Sequence, residues 1–420
     1  MTSGFPRRAA LLVFLLAGAA CGRQAPAGGK TVLRYLANPD VGGFSKEIIR
    51  RFEEANPGIS VEMVEGPASP DTRENMYATS FMAKEDAYDL VYADVAWLPK
   101  FAAQGWVLPL DDRFDSKAQA EFLPGDIKGS RYQGRIYRVP THSDGGLLYY
   151  RKDLLEAKGL KPPRTWGELV SASKALQSPP GLWGFVFQGK QYEGLVCDFL
   201  ELVWGNGGDV IRDGQVLIDR PEAVEALRWL ADAVRKDKIS PEGVLTYQEE
   251  EARHMFQEGK AVFMRNWPYA WGLLQAEDSP VRGKVGIVPM VHGKGPSAAT
   301  LGGWGWSISA YSKHPEQAWR FVAFASSAES QKLAFSKGGI NPTRKALFDD
   351  PDILKAAPHM KELGRVLAGA LPRPLHPSYA RISDALQVHV SAALSGLEEP
   401  EAALKAAAAE IRRVLEKTGA

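Results

Sequence analysis

Two short stretches place flat aromatic rings where a polyhydroxylated ligand could use them. Trp267 and Tyr269 sit in a proline-containing turn, and Trp304 follows Gly302-Gly303, where missing side chains let a ligand come close to the backbone. Sugars present apolar C–H faces and rings of hydroxyls. A site for them combines aromatic platforms with planar charged groups that form paired hydrogen bonds. Charged candidates are Asp94, which closes a strand-like run, Asp144 in a hinge-like segment, and Arg373, held between Pro372 and Pro374. Each has a plain alternative: loop aspartates and arginines are often solvated or cap helices. Tryptophan is usually a half-buried core residue, the reading kept here for Trp106, Trp166, Trp183, Trp204, Trp229 and Trp319 among the 11 tryptophans. Paired carboxylates beside aromatic platforms also build glycosidases, with Asp94 and Asp144 as acid and nucleophile and Tyr192 and Glu193 as further candidates. Nothing in the sequence marks one carboxylate for a raised pKa. Binding without catalysis is therefore the reading adopted, and a lipid-anchored glycoside hydrolase is the alternative. The seven histidines are scattered, no HExxH or cysteine cluster occurs, and Gly293-Lys294-Gly295 lacks the spacing of a phosphate loop, so no metal and no cofactor is expected.

The N-terminus indicates where such a site would work. Arg7-Arg8 precede an apolar run, Ala9 to Ala20, too short to span a bilayer, which ends on small residues directly before Cys21. This is a secretory signal over residues 1–20. Its end resembles a lipobox, with Gly18 standing where an aliphatic residue is usual; Cys21 is then the lipidated first residue, and an ordinary cleavage site is the alternative. Residues 21–30 read as a flexible linker. The chain has 420 residues, 45% of them hydrophobic and 24% charged, enough for more than one domain. With a net charge of +1 it has no basic stripe for nucleic acid. One cysteine remains after Cys21, so stability must come from packing and not from disulfides.

Short strands alternate with amphipathic helices. Thr31–Leu36 reads as a strand; Phe44, Ile48, Ile49 and Phe52 share a helical face that Asn56-Pro57-Gly58 ends; Ile59, Val61 and Met63 alternate as a second strand. Ala87–Ala93 is a third strand, and a helix with Trp97, Leu98 and Phe101 follows it. Further on, Leu147–Tyr150 reads as a strand, Thr165 and Glu168 as a capping box for a helix to Leu176, and Asp213-Gly214 as a hairpin turn. Pro221 opens a helix with Val224, Leu227, Leu230 and Val234 inward, and Val285–Pro289 is a strand. Pro315 opens a helix to Phe335, and a C-terminal helix carries Leu404, Ala408, Ile411 and Leu415 on one face. The pattern predicts an α/β protein of two lobes.

The chain resembles the family 1 extracellular solute-binding proteins of ABC sugar importers, closest to the trehalose/maltose-binding proteins of thermophilic prokaryotes. The resemblance runs through DVAWLPKFAAQGWVLPLDD from Asp94, DGGLLYYRKDLL from Asp144, FQGKQYEGLVCDF from Phe187, RNWPYAWGL from Arg265, SAATLGGW from Ser297 and PRP at 372–374. It implies the two-lobed type II, maltose-binding-protein-like fold, with lobes 31–143 plus 292–342 and 144–291 plus 343–420. The crossings are expected near Pro140–Gly145, Pro289–Lys294 and Asn341–Lys345, and an α-linked disaccharide is expected between the lobes. By resemblance the ligand set is Asp94, Asp144, Trp267, Tyr269, Gly303, Trp304 and Arg373, with Arg73, whose alternative is a surface helix arginine, and Tyr192. His142 stands where the family often has tyrosine. Val41-Gly42-Gly43 replaces a stretch bearing a ligand glutamate, which leaves Asp40 nearby. The implied partners are two permease subunits and an ABC ATPase, met by a monomer anchored to the extracytoplasmic face.

Overall fold

The computed structural model describes residues 29–418. The signal segment and Cys21 lie outside these residues. Strand β1 (Thr31–Ala37) pairs in parallel with β2 (Ile59–Glu65) across helix α1 (Phe44–Ala55), which buries Ile48 and Phe52. Helix α2 (Pro70–Met82) starts with proline in its first turn, where the missing N–H costs nothing, and Ser69 accepts from the Thr72 N–H at 3.5 Å. Strand β3 (Leu90–Asp94) is shorter than the sequence suggests: Asp89 is used to accept from the Arg34 N–H before the strand begins.

The chain then runs through β4 (Val139–Gly145) directly into β5 (Leu147–Arg151), and with that leaves the first lobe. In the second lobe, helix α3 (Trp166–Leu176) carries the Thr165/Glu168 capping box. It is followed by β6 (Trp183–Val186), α4 (Glu193–Gly205) and α5 (Pro221–Arg235). Between α4 and α5, Asp213 (φ 50°) and Gly214 (φ 74°) make the hairpin turn, both in the left-handed region that such a turn needs. Helix α6 (Glu249–Gln257), β7 (Ala261–Asn266) and β8 (Val285–Pro289) complete a sheet ordered β8-β5-β7-β6.

Strand β9 (Leu301–Ile308) returns to the first lobe and lies between β3 and β4, antiparallel to both. The return comes later than expected. Residues 289–294 stay on the second lobe, where the His292 N–H donates to Arg164 O (3.1 Å) and the Gly293 N–H to Gly205 O (3.0 Å); the passage is at Ala299–Leu301, where the Leu301 N–H donates to Leu371 O at 2.8 Å. The single helix expected from Pro315 to Phe335 is two, α7 (Pro315–Ala325) and α8 (Ala328–Gly338). Ser327 breaks it by capping α8 with its hydroxyl, accepting from the Ser330 N–H at 3.2 Å. The chain ends on the second lobe with α9 (Tyr379–Ser395) and α10 (Pro400–Thr418), whose Leu404, Ala408, Ile411 and Leu415 are buried. One apolar core fills the second lobe, while two adjoining ones, on either side of the β3-β9-β4 sheet, fill the first.

Candidate functional site

A cavity of about 290 Å³ lies where the two lobes meet, near the lower end of the usual range for small-molecule sites. Its floor is the β3-β9-β4 sheet. Trp304 on β9 pairs with Asp94 on β3 and with His142 on β4, and Gly302 pairs with Asp144. Residues paired across strands share a face, so Asp94, His142, Asp144 and Trp304 project together. Register alone collects them from three separate parts of the chain. Gly303 has φ 135°, and a Cβ there would stand 2.5 Å from His142 O, so only glycine fits. A Cβ on Gly302 would stand 3.0 Å from both Asp144 Cβ and Trp267 Cζ3; its absence lets the second lobe's indole come up against the first lobe's sheet.

The opposite wall comes from the second lobe. Trp267 and Tyr269 follow β7, and the turn is fixed by the Tyr149 hydroxyl, which donates to Trp267 O at 2.8 Å. Beneath the indole, the fully buried Arg265 holds its guanidinium 4.1 Å from the ring centroid. That cation is balanced by Asp198 at 2.9 Å and Glu201 at 2.5 Å, and also donates to Gln188 Oε1 at 3.0 Å. A charge this deeply buried is tolerable only because it is paired and hydrogen-bonded. Trp304 is held differently. Tyr92 stacks on it (centroids 5.6 Å apart, planes at 22°), Trp97 meets it edge-on at 5.2 Å, and the Arg73 guanidinium lies 4.8 Å from its ring centroid.

Charge is concentrated at the seam. Arg373 donates through Nη2 to Asp94 Oδ1 at 2.7 Å and through Nη1 to Glu193 Oε1 at 2.8 Å. Glu193 opens α4 and also accepts from the Tyr379 hydroxyl at 2.6 Å and from Ser383. Burial alone would lower the Arg373 pKa, but Asp94 and Glu193 hold it well above the ordinary arginine value. Burial lowers Arg73 to about 10; its Nη1 donates to Ala68 O at 2.8 Å and to Pro67 O, while Nε is buried with no hydrogen bond. Asp71, at the start of α2, is raised to about 7 by burial and by the nearby Glu193 carboxylate, whose own backbone N–H donates to Asp71 Oδ2 at 3.4 Å. On β4, His142 Nε2 lies 2.8 Å from Asp144 Oδ2.

Nine of the eleven sequence-derived ligand candidates therefore share this cavity, namely Arg73, Asp94, His142, Asp144, Trp267, Tyr269, Gly303, Trp304 and Arg373, and so does Glu193, a candidate of the hydrolase reading. Two do not line it. The Asp40 carboxylate is turned to the first turn of α1, where it accepts from the N–H groups of Ser45 (2.9 Å) and Lys46 (3.3 Å). Tyr192 is buried behind the wall, its ring folded against Gly194, where a Cβ would stand 2.1 Å from it. Sequence reasoning missed Glu249 and Glu250, both on the cavity wall; the Tyr269 hydroxyl donates to Glu250, and burial raises the Glu249 pKa. A signal was present in the run of three glutamates. Glu251 is used by the helix, closing a capping box with Gln248, and Glu250 also accepts from Arg253 one turn on at 2.9 Å, which leaves Glu249 without such a role. Among the described residues no group of three or more His, Cys, Asp or Glu could hold a metal, and no helix is long and apolar enough to cross a membrane.

Residues 38–332 match the profile of the bacterial extracellular solute-binding proteins. A probable ABC transporter-binding protein of Deinococcus radiodurans is 36% identical over 85% of this chain and 87% of its own length. Among solved structures, maltose-bound MalE3 of T. maritima superposes with a TM-score of 0.88 at 43% identity, covering 92% of this chain and all of that one. An ABC transporter solute-binding protein of Thermotoga lettingae, bound with α-D-tagatose, gives a TM-score of 0.81 at 27% identity, over 92% of this chain and all of that one.

Proposed function

The chain belongs to the bacterial extracellular solute-binding proteins, and from that premise we propose that its cavity takes an α-linked disaccharide, grasped when the two lobes close. Members of this family bind a solute outside the cytoplasm for an ABC transporter and perform no chemistry on it, so the hydrolase alternative lapses.

The observation that carries the reading is Arg373, which joins Asp94 of the first lobe to Glu193 of the second inside a cavity lined by both. Contacts from two lobes to one ligand exist together only when the lobes are closed, so a ligand shifts the hinge equilibrium by its differential affinity for that state. Trp267 offers the apolar platform, Asp94 and Asp144 accept from hydroxyls, and Arg73 and Arg373 donate. The maltose bound by the 43% identical Thermotoga protein supports a disaccharide over a monosaccharide. Calorimetric titration with maltose, trehalose, sucrose and glucose tests the reading. A disaccharide should bind at least tenfold tighter than glucose, and equal affinity for glucose would sink it.

The lipobox-like end of the signal supports a mature protein that starts at a lipidated Cys21 and works as a monomer on the outer face of the membrane, beside two permease subunits and an ATPase. Cys21→Ser should release it from membranes in cells lacking the transporter. Retention of that variant would refute the anchor.

A further inference from the structure

The cavity does not end at the charged and aromatic groups of the seam. It continues into the first lobe between α1, α7 and α8, where its wall is Ile48, Trp306, Phe321, Ala325, Ala334 and Ile340. All six belong to the apolar core of that lobe. Most polar groups on this extension are already spent inside the protein, and the Tyr35 and Ser45 hydroxyls, which also line it, bond each other. Gln331 Oε1 accepts from the Thr343 N–H (2.8 Å), the Thr343 hydroxyl (3.2 Å) and the Arg344 N–H (3.2 Å), and its Nε2 donates to Ser326 O at 3.1 Å. The Ser330 hydroxyl donates to Phe324 O at 2.7 Å. The loop above contributes no charge either: Asp40 is committed to α1, and Gly42 lies flat against α8, where a Cβ would stand 2.1 Å from Lys337 O. Only Asn38 Oδ1, among the lining groups of this region, is buried with no partner.

A hexose ring pushed into such a compartment would exchange most of its water hydrogen bonds for apolar contacts, with Asn38 and the Tyr35/Ser45 hydroxyl pair as the few polar groups left to meet it. Each unpaired hydroxyl is a net loss, whereas an alkyl or aryl group gains by leaving water. Two of the wall residues are alanines, Ala325 on α7 and Ala334 on α8, so the wall itself keeps room for a substituent.

We propose that this extension is an apolar subsite, and that the protein's ligands include sugars bearing an alkyl, aryl or acyl substituent, with the sugar at the seam and the substituent inside the first lobe. The proposal rests on the sugar reading for the ligand's polar half. The apolar half is argued from the wall alone.

The test is calorimetry of wild type, Ala334→Leu and Ala325→Leu with maltose, with n-butyl and phenyl maltosides, and with phenol as a sugar-free probe. Wild type should bind the butyl or phenyl maltoside at least tenfold tighter than maltose. Either leucine, filling the subsite from α8 or from α7, should abolish that gain while changing maltose affinity less than twofold, which also shows that the variant is folded. Equal affinities for maltose and its derivatives in wild type, or a gain that survives both leucines, would overturn the proposal. Should no sugar bind at all, the sugar reading falls separately: phenol binding lost in both variants would still support the subsite, and no phenol binding would remove it too.

Discussion

Asp94 Oδ1 and Arg373 Nη2 stand 2.7 Å apart although 279 residues separate them in sequence. One residue ends a first-lobe strand, and the other sits between two prolines on the second lobe. Both are buried, and the same guanidinium also reaches Glu193, so removing it leaves two buried carboxylates without the cation that bonds them both. Breaking a buried pair from one side costs far more than the pair contributes. Arg373→Met should therefore weaken disaccharide binding by at least tenfold and lower the melting temperature. Arg373→Lys keeps the charge but loses the fork, and should fall between. Calorimetry and thermal unfolding on both variants check this, and wild-type affinity in Arg373→Met would refute the assignment.

The two tryptophans should respond differently. Trp267 is half-buried, backed by Arg265 at 4.1 Å, and turned toward Gly302. Trp267→Ala should cost about 2 kcal/mol of binding, the range for aromatic anchors, with little loss of fold. Trp304 already has Tyr92, Trp97 and Arg73 around its ring, so Trp304→Ala should lower thermal stability as well as affinity. If Trp267→Ala leaves affinity unchanged, that ring is not the sugar platform.

How far the chain could be read before its structure was known depends on what each segment packs against. Helices with one wet face, such as α1, α5 and α10, announced themselves by periodicity, and of the residues it picked out Ile48, Phe52, Val224, Leu227, Leu230, Val234, Leu404, Ala408, Ile411 and Leu415 are buried, while α3 announced itself by its capping box. Helix α4 did not. Every residue from Glu193 to Gly205 is buried, so LVCDFLELVW has no polar face to set a period. The break at Ser326-Ser327 was hidden because the apolar pattern of α7 runs on into α8. In the site, aromatic and glycine spacing pointed to Trp267, Gly303 and Trp304. It could not separate Asp40, a helix cap, from Asp94, a cavity wall, since both are aspartates beside a strand end. Nor could it find the apolar extension, whose residues look like any other core.

On the proposed closure of the lobes, Asp71 should make ligand binding sensitive to pH. In this structure burial and Glu193 raise it to about 7, whereas an opened seam would return it to water, near the usual value of about 4. Closed protein thus holds a proton that open protein releases. Closure carries no penalty below about pH 4, an increasing one from about 4 to 7, and a constant one above. Burial also raises Glu74 and Asp384 beside it, which acts in the same direction; Lys100, paired with Glu74 at 3.0 Å, opposes. Disaccharide affinity should fall roughly tenfold between pH 5.5 and pH 8, solvent access being allowed for, and Asp71→Asn should flatten the profile. An equally steep profile in Asp71→Asn would place the titration elsewhere.

Gly303 separates the cost of its backbone angle from the cost of crowding. Its φ of 135° is one that side chains rarely adopt, and a Cβ there meets His142 O at 2.5 Å, across the very pair that aligns Trp304 with its neighbours. Gly207 also has positive φ, 86°, but a Cβ would find nothing within 4 Å. Gly207→Ala should lose only the strain of the angle, of order 1 kcal/mol. Gly303→Ala should lose that and a further 1–3 kcal/mol or so from forcing β4 and β9 apart, and with their register the alignment of Asp94, His142 and Trp304. Denaturant unfolding measures the first loss and sugar titration the second. Only Gly303→Ala should show both; equal stability of the two variants would mean the strands can shift to admit a methyl group, and that the glycine does not fix the floor of the site.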